Sequence, residues 1–237
     1  MRTRSFGNTT LSVSEIGLGC NRIGERWETD AYWVDLLHQA ADRGVTIYDT
    51  SENYTRNHSE ELLGEAFGGR DDVVIATKAG GWGRDDAGSW EHLSEAVEGS
   101  LRRLQRETID VYQLHSPSHE KLHQTDWVAA LRKLRDQGKI RFIGVAISAL
   151  EDATWLMREG LCDAIQLTYN ICDRRPEGAI FDAAIDTGTA LIVRMPLARG
   201  TLTGKYQPGQ KPPDDTRAKL EGDRFAPQVE TAERLKP

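Results

Sequence analysis

The chain has 237 residues, with 30 Lys and Arg against 37 Asp and Glu, for a formal net charge of −7. That balance argues against a general phosphate-backbone binder, which is normally basic, so no nucleic-acid partner is expected; a local basic pocket for one small anion remains compatible with it. Hydrophobic residues at 38% and charged residues at 28% fit a globular chain rather than a disordered one, and the length suits a single α/β barrel.

A first strand is expected near 13–18. A helix near 29–43 ends in Asp42-Arg43-Gly44, and Val45-Thr46-Ile47-Tyr48 follows at once as a strand. The next helix is expected at 59–68, with Ser59 as N-cap and Glu60 and Glu61 favourably placed at its positive end. A strand over 73–77 and a helix over 89–106 come next, the helix capped by Ser89 with Glu91 in its first turn. A strand at 109–114 leads to a helix at 123–137 that stops at Gly138. Two more alternations and a last strand follow: a strand at 142–145 with a helix at 149–159 ending before Gly160, a strand at 164–167 with a helix at 176–187 ending before Gly188, and a strand at 190–193. Glycine just past a helix supplies the left-handed residue that closes it. Short apolar runs after such turns fit strands buried on both faces, as in a parallel sheet. Strands alternating with helices define an α/β fold, either a barrel or a doubly wound sheet. A doubly wound dinucleotide fold is disfavoured because no G-x-G-x-x-G follows the first strand.

The segment 207–237 differs from the rest. It holds five of the eight prolines and many charges, and no eighth strand is visible in it. It is expected to be a long loop or a partly disordered end, beyond a barrel unit over 1–206. No run of about 18 apolar residues is present, so no membrane partner is expected, and Met1 to Phe6 lack the apolar stretch of a secretion signal. Cys20, Cys162 and Cys172 read as reduced thiols, which points to the cytoplasm. The six histidines are expected to form no HExxH-like pair, and no metal is expected.

Catalytic groups of an α/β barrel cluster where strands end and βα loops begin. Four exits carry reactive residues. Tyr48-Asp49-Thr50 ends the second strand, with Tyr54 in the loop beyond. Thr77-Lys78 ends the third, Leu114-His115-Ser116 ends the fourth, and Gln166 lies near the exit of the sixth. Each residue alone has an ordinary structural reading. Together an acid, a phenol, an amine and an imidazole at consecutive exits would face one cavity. A phenol is a poor proton donor at neutral pH. Lys78, paired to Asp49, would lower the Tyr54 pKa and make it a usable general acid. His115 would donate a hydrogen bond to a carbonyl oxygen. A carbonyl protonated on oxygen needs a nucleophile on carbon, and hydride from a nicotinamide is the economical source.

The chain resembles the aldo-keto reductases. The matching stretches are Gly17-Leu18-Gly19-Cys20, Tyr48-Asp49-Thr50-Ser51-Glu52-Asn53-Tyr54, His58-Ser59-Glu60-Glu61-Leu62-Leu63-Gly64 and Ala76-Thr77-Lys78. They continue in order through Asp110-Val111-Tyr112-Gln113-Leu114-His115, 138–145, Gln166-Leu167-Thr168-Tyr169-Asn170 and 196–206. The resemblance implies a (β/α)8 TIM-type barrel that reduces an aldehyde or ketone with NADPH, NADH being possible. It implies Asp49, Tyr54, Lys78 and His115 as the catalytic tetrad. Gln166 would hold the nicotinamide carboxamide. The 196–205 loop would wrap the pyrophosphate, with Pro196, Leu197, Gly200 and Leu202 close to it. Cys20 and Asn21 would lie beside the nicotinamide or ribose, and Trp82 would form a wall of the substrate pocket.

Three departures from the family pattern stand out. Where the family reads Gly-Val-Ser-Asn, this chain reads Gly144-Val145-Ala146-Ile147-Ser148, so only Ser148 is left to help hold the carboxamide. Arg194 stands where an aromatic usually stacks on the nicotinamide, a form that some related reductases share. The eighth βα unit, with its grip on the 2′-phosphate, is not visible before residue 237. An incomplete barrel leaves strand edges open and invites a second copy. Two other functions stay in view: a nicotinamide-binding regulatory module with little turnover, and a lyase or dehydratase working without nicotinamide on the same barrel.

Overall fold

The computed structural model describes residues 1–80, 82–147, 149–211 and 224–236; Ser148, Pro212, Pro213 and Pro237 lie outside the described residues. Two short antiparallel strands, β1 (Thr3–Ser5) and β2 (Ser12–Ser14), form an N-terminal hairpin. Seven parallel strands follow: β3 (Leu18–Gly19), β4 (Ile47–Asp49), β5 (Val74–Ala79), β6 (Ile109–His115), β7 (Ile140–Ala146), β8 (Ala164–Thr168) and β9 (Ala190–Arg194). They pair in strict chain order, β3 to β9, in one sheet. This is the TIM-type arrangement that the sequence pattern predicts, and among the described residues no pairing joins β9 back to β3.

Helices α1 (Asp30–Asp42), α2 (His58–Phe67), α3 (Trp90–Leu104), α4 (His119–Gln124), α5 (Trp127–Asp136), α6 (Glu151–Arg158) and α7 (Ala179–Thr187) alternate with the strands. The stop signals act as read: Gly44, Gly138, Gly160 and Gly188 all have positive φ. Ser89 caps α3 by accepting the His92 N–H at 3.1 Å. Ser59 does not cap α2. The helix begins one residue earlier behind a left-handed Asn57, and Ser59 is buried, donating to the Cys20 carbonyl at 2.9 Å. The expected 123–137 helix is two pieces, because Thr125 turns extended between them. The expected 13–18 strand is likewise split, with β2 in the hairpin and β3 in the barrel.

The core has two layers. Tyr48, Ile75, Tyr112, Leu114, Ile143, Val145, Ile165 and Leu167 point outward into a shell shared with the helices. Their neighbours one residue away along the strands point inward, as the two-residue period of a strand requires. Ile47, Val74, Ala76, Val111, Ala164 and Ala190 meet Phe6, Leu11 and Val13 of the hairpin in a separate cluster. The hairpin therefore closes the end of the barrel where these strands begin. The opposite end, where the strands exit, holds the polar residues.

The 207–237 segment is not wholly loop. It contains α8 (Phe225–Arg234), which buries Phe225, Val229 and Ala232. Phe225 packs edge-on against Tyr206 at 5.1 Å, and Gln228 Oε1 lies 2.9 Å from Thr201 Oγ1. The prolines and charges masked an apolar spacing of i, i+4, i+7 that is helical.

Helices α2 and α3 touch at Gly64, where an added Cβ would overlap the Arg103 carbonyl oxygen; Gly69 has nothing within 4 Å of such a Cβ. Gly64→Ala is expected to lower stability by about 1–3 kcal/mol, with Gly69→Ala near neutral. Urea denaturation of both variants checks this.

Candidate active site

Alternation along the strands places the polar exits on the inner face. Inward residues run Ile47 and Asp49 on β4, Val74, Ala76 and Lys78 on β5, Val111, Gln113 and His115 on β6, Ala164 and Gln166 on β8, and Ala190 and Arg194 on β9. Lys78 is 1% exposed. Its ammonium donates to Asp49 Oδ2 and to the Thr50 carbonyl, each at 2.7 Å. The same Nζ lies 5.0 Å from the centre of the Tyr54 ring. Tyr54 opens a 3₁₀ turn over 54–57 whose residues Thr55 and Arg56 have positive φ. The His115 ring meets the Tyr54 ring edge-on at 5.6 Å. Asp49, Tyr54, Lys78 and His115, from three separate stretches of the sequence, are thus brought together.

Burial and charge set the protonation states. Burial pushes the Tyr54 phenol above its usual range, and the pull of Lys78 only partly offsets this. The direction is therefore opposite to the lowering expected from the lysine alone. The phenol stays protonated at neutral pH, as a proton donor must. Burial, with the nearby Lys78 charge, pushes His115 down to about 4, so the imidazole is neutral. Its Nδ1 is engaged by the Ser51 hydroxyl at 2.9 Å, which leaves Nε2 for other partners.

Two glutamines brace Asp49. Gln166 Nε2 donates to Asp49 Oδ1 at 2.8 Å, and Gln113 Nε2 donates to the same oxygen at 3.0 Å. Gln166 is therefore bonded to the tetrad carboxylate in this structure. Gln113 was not singled out from sequence. The signal was its place between Val111 and His115 on the inward face of β6, and Gly144 makes the room, since a Cβ there would meet Gln113 Cγ at 2.6 Å.

The remaining site residues divide. Cys20 is fully buried among the outer-shell residues with its thiol 3.5 Å from the Leu18 carbonyl; Asn21 beside it is exposed. Burial raises the Cys20 thiol pKa, which disfavours the thiolate. Trp82 is half-buried, donating to the Ala79 carbonyl at 3.3 Å and meeting His92 edge-on at 5.9 Å. Arg194 donates to the Ile147 carbonyl at 3.0 Å, and its Nε is buried without a hydrogen-bond partner.

Beyond β9, Pro196 and Leu197 are exposed and a second 3₁₀ turn over 198–203 holds Gly200 and Leu202, with positive φ at Ala198, Arg199 and Gly200. This loop, α8 and the exits of β8 and β9 enclose a groove of about 550 Å³. Thr168 and Met195 lie at the barrel side, and Arg174, Arg175, Arg199 and Arg224 line it together with Asp173. The arginines suit an anionic ligand.

Residues 15–236 match the model of the Aldo/keto reductase family. The chain belongs to that family, whose members are NAD(P)H-dependent oxidoreductases. Aldo-keto reductase YhdN of Bacillus subtilis (strain 168) is 33% identical over 215 residues, covering 86% of this chain and 65% of that protein. The NADH-specific methylglyoxal reductase of Escherichia coli (strain K12) is 32% identical over 238 residues, covering 88% and 72%. A solved aldo-keto reductase from Klebsiella pneumoniae in complex with NADPH is 30% identical, with a TM-score of 0.72 over 95% of this chain and 78% of that one. The chain spans about two thirds of the length of the curated relatives it matches. Among the described residues no helix is long and apolar enough to cross a membrane.

The depressed His115 pKa predicts a pH effect on stability. Between about 4 and 6.5 the unfolded imidazole binds a proton and the folded one does not, so stability rises with pH and is lost on acidification. His115→Gln removes this contribution. Its unfolding free energy is expected to fall less than that of the wild type from pH 7 to pH 5, by at most about 2 kcal/mol. Equal pH slopes in urea titrations would contradict the assignment.

Proposed function

We propose that this protein reduces the carbonyl group of an aldehyde or ketone, with Tyr54 as general acid. The observation that carries this reading is the buried Lys78 ammonium, fixed by Asp49 and the Thr50 carbonyl beside the Tyr54 ring. The groove is the proposed place of a nicotinamide dinucleotide, because its arginines suit a pyrophosphate; Arg194, on β9 next to the groove residue Met195, has a buried Nε without a hydrogen-bond partner. Arg199, Gly200 and the positive-φ backbone of the 198–203 turn would hold the phosphates, and Arg194 and Gln166 the nicotinamide end. NADPH, or NADH in its place, supplies hydride to the carbonyl carbon when bound.

The chain's own residues handle the proton. Tyr54 gives its phenolic proton to the carbonyl oxygen as negative charge develops there. The phenolate left behind is stabilised by the Lys78 ammonium, which Asp49 and the Thr50 carbonyl hold in place. Gln113 and Gln166 hold the Asp49 carboxylate through its other oxygen. Neutral His115, oriented through Ser51, donates from Nε2 to the carbonyl oxygen and fixes its direction.

The test is oxidation of reduced nicotinamide with a panel of aldehydes and ketones. Tyr54→Phe is expected to lower kcat by about 100-fold or more, the usual share of a general acid. Cofactor affinity, read by fluorescence titration, should stay within a few-fold. Equal rates in wild type and variant would remove Tyr54 from the mechanism.

A further inference from the structure

A second cluster of chemical groups lies on the connections that follow β6 and β7. Two of the histidines expected to form no HExxH-like pair do form one here. Residues 119–123 run His119-Glu120-Lys121-Leu122-His123, an H-E-x-x-H spacing, and α4 makes that stretch helical. Residues four apart on a helix share one face. On that face the third partner is Asp152, in the first turn of α6. His119 Nδ1 lies 2.7 Å from Asp152 Oδ1, and His123 Nε2 lies 3.2 Å from the same oxygen. The three donor atoms are all within 4.8 Å of one another.

We propose that His119, His123 and Asp152 form a binding site for a divalent transition-metal cation of the zinc class. Two imidazole nitrogens and one carboxylate oxygen are a donor set suited to zinc, cobalt or nickel rather than to magnesium or calcium. Three protein ligands leave a position open to solvent, and the 65% exposed His119 side chain provides the access. The site is pre-organised in two ways. The Asp152 side chain is 5% exposed and is fixed on α6, so the carboxylate need not be ordered on binding. The His123 ring stacks on Trp155, at 4.0 Å and 30°, which limits its rotation. Donors bound to one zinc at about 2.0–2.1 Å sit farther apart than the present 2.7 Å, so binding draws Asp152 and His119 slightly apart.

His58 lacks this convergence. His58 contacts Asp30 and Glu61 at 2.8 Å each, but through opposite ring nitrogens. Those donors diverge and cannot share an ion. Glu120 is exposed and stands outside the convergent set, so the site is proposed for binding, without a hydrolytic step. The ion would tie the connection after β6, which carries His115, to the head of α6. That head follows Ile147, whose carbonyl accepts from Arg194.

The test is titration of the chelator-treated full chain with Zn²⁺ by calorimetry and with Co²⁺ by visible absorption. The proposal predicts one equivalent bound, a raised thermal midpoint with metal, and cobalt ligand-field bands. His119→Gln and His123→Gln, both at solvent-accessible positions, should each weaken binding by about 10-fold or more, and Asp152→Asn likewise. Cys172→Ser should bind as the wild type, since Cys172 is the exposed thiol. No binding by the wild type would overturn the proposal. So would unchanged affinity in the histidine variants, or loss of binding in Cys172→Ser.

Discussion

A lysine ammonium buried inside the barrel is the constraint around which the rest is arranged. Taking such a charge out of water costs several kcal/mol unless it is paired and hydrogen-bonded. Here the Asp49 carboxylate and the Thr50 carbonyl meet it at 2.7 Å, both from the end of β4. Asp49 is then itself bonded by Gln113 and Gln166, from β6 and β8. Four strands are thereby tied together at one end of the sheet by charge and amide contacts, while the other end is sealed by the apolar hairpin cluster. The polarity of the barrel follows from these two ends.

That division explains the protonation states. A site dry enough to hold Lys78 at 1% exposure also strips water from its neighbours. The imidazole of His115 becomes neutral and the phenol of Tyr54 keeps its proton, both because burial opposes charge. A phenol that holds its proton, a neutral imidazole and a fixed cation are what the proposed protonation of a carbonyl oxygen requires. The groove walled by the 198–203 turn and α8 carries the arginines that the proposed dinucleotide needs.

Much of this was legible in the residues. Parity along a strand puts Asp49, Lys78, His115 and Gln166 on one face once the strands are recognised, and the glycines at 44, 138, 160 and 188 mark the helix ends. Other features were hidden for physical reasons. The β1–β2 hairpin is short and mostly exposed, so it lacks a clear apolar alternation. Cys20 sits next to the exit of β3 in sequence, but its side chain turns to the outer shell. The lowering of Tyr54 by Lys78 is real as an interaction, but desolvation outweighs it, and burial depth cannot be read from neighbours in a motif. Helix α8 was obscured by prolines and charges that lie outside its buried face. The pairing of His119 and His123 was visible in sequence as a spacing, whereas Asp152 joins them only through the fold.

The Lys78 ammonium favours ionisation of the Tyr54 phenol, against the burial that holds its proton. Tyrosinate absorbance isolates that action: the titration of Tyr54 is the difference between a protein and its Tyr54→Phe counterpart. The account predicts that this titration moves to higher pH when Lys78 is replaced by Met, because the favourable charge is gone while the burial remains. An unchanged midpoint, or a shift to lower pH, would contradict it.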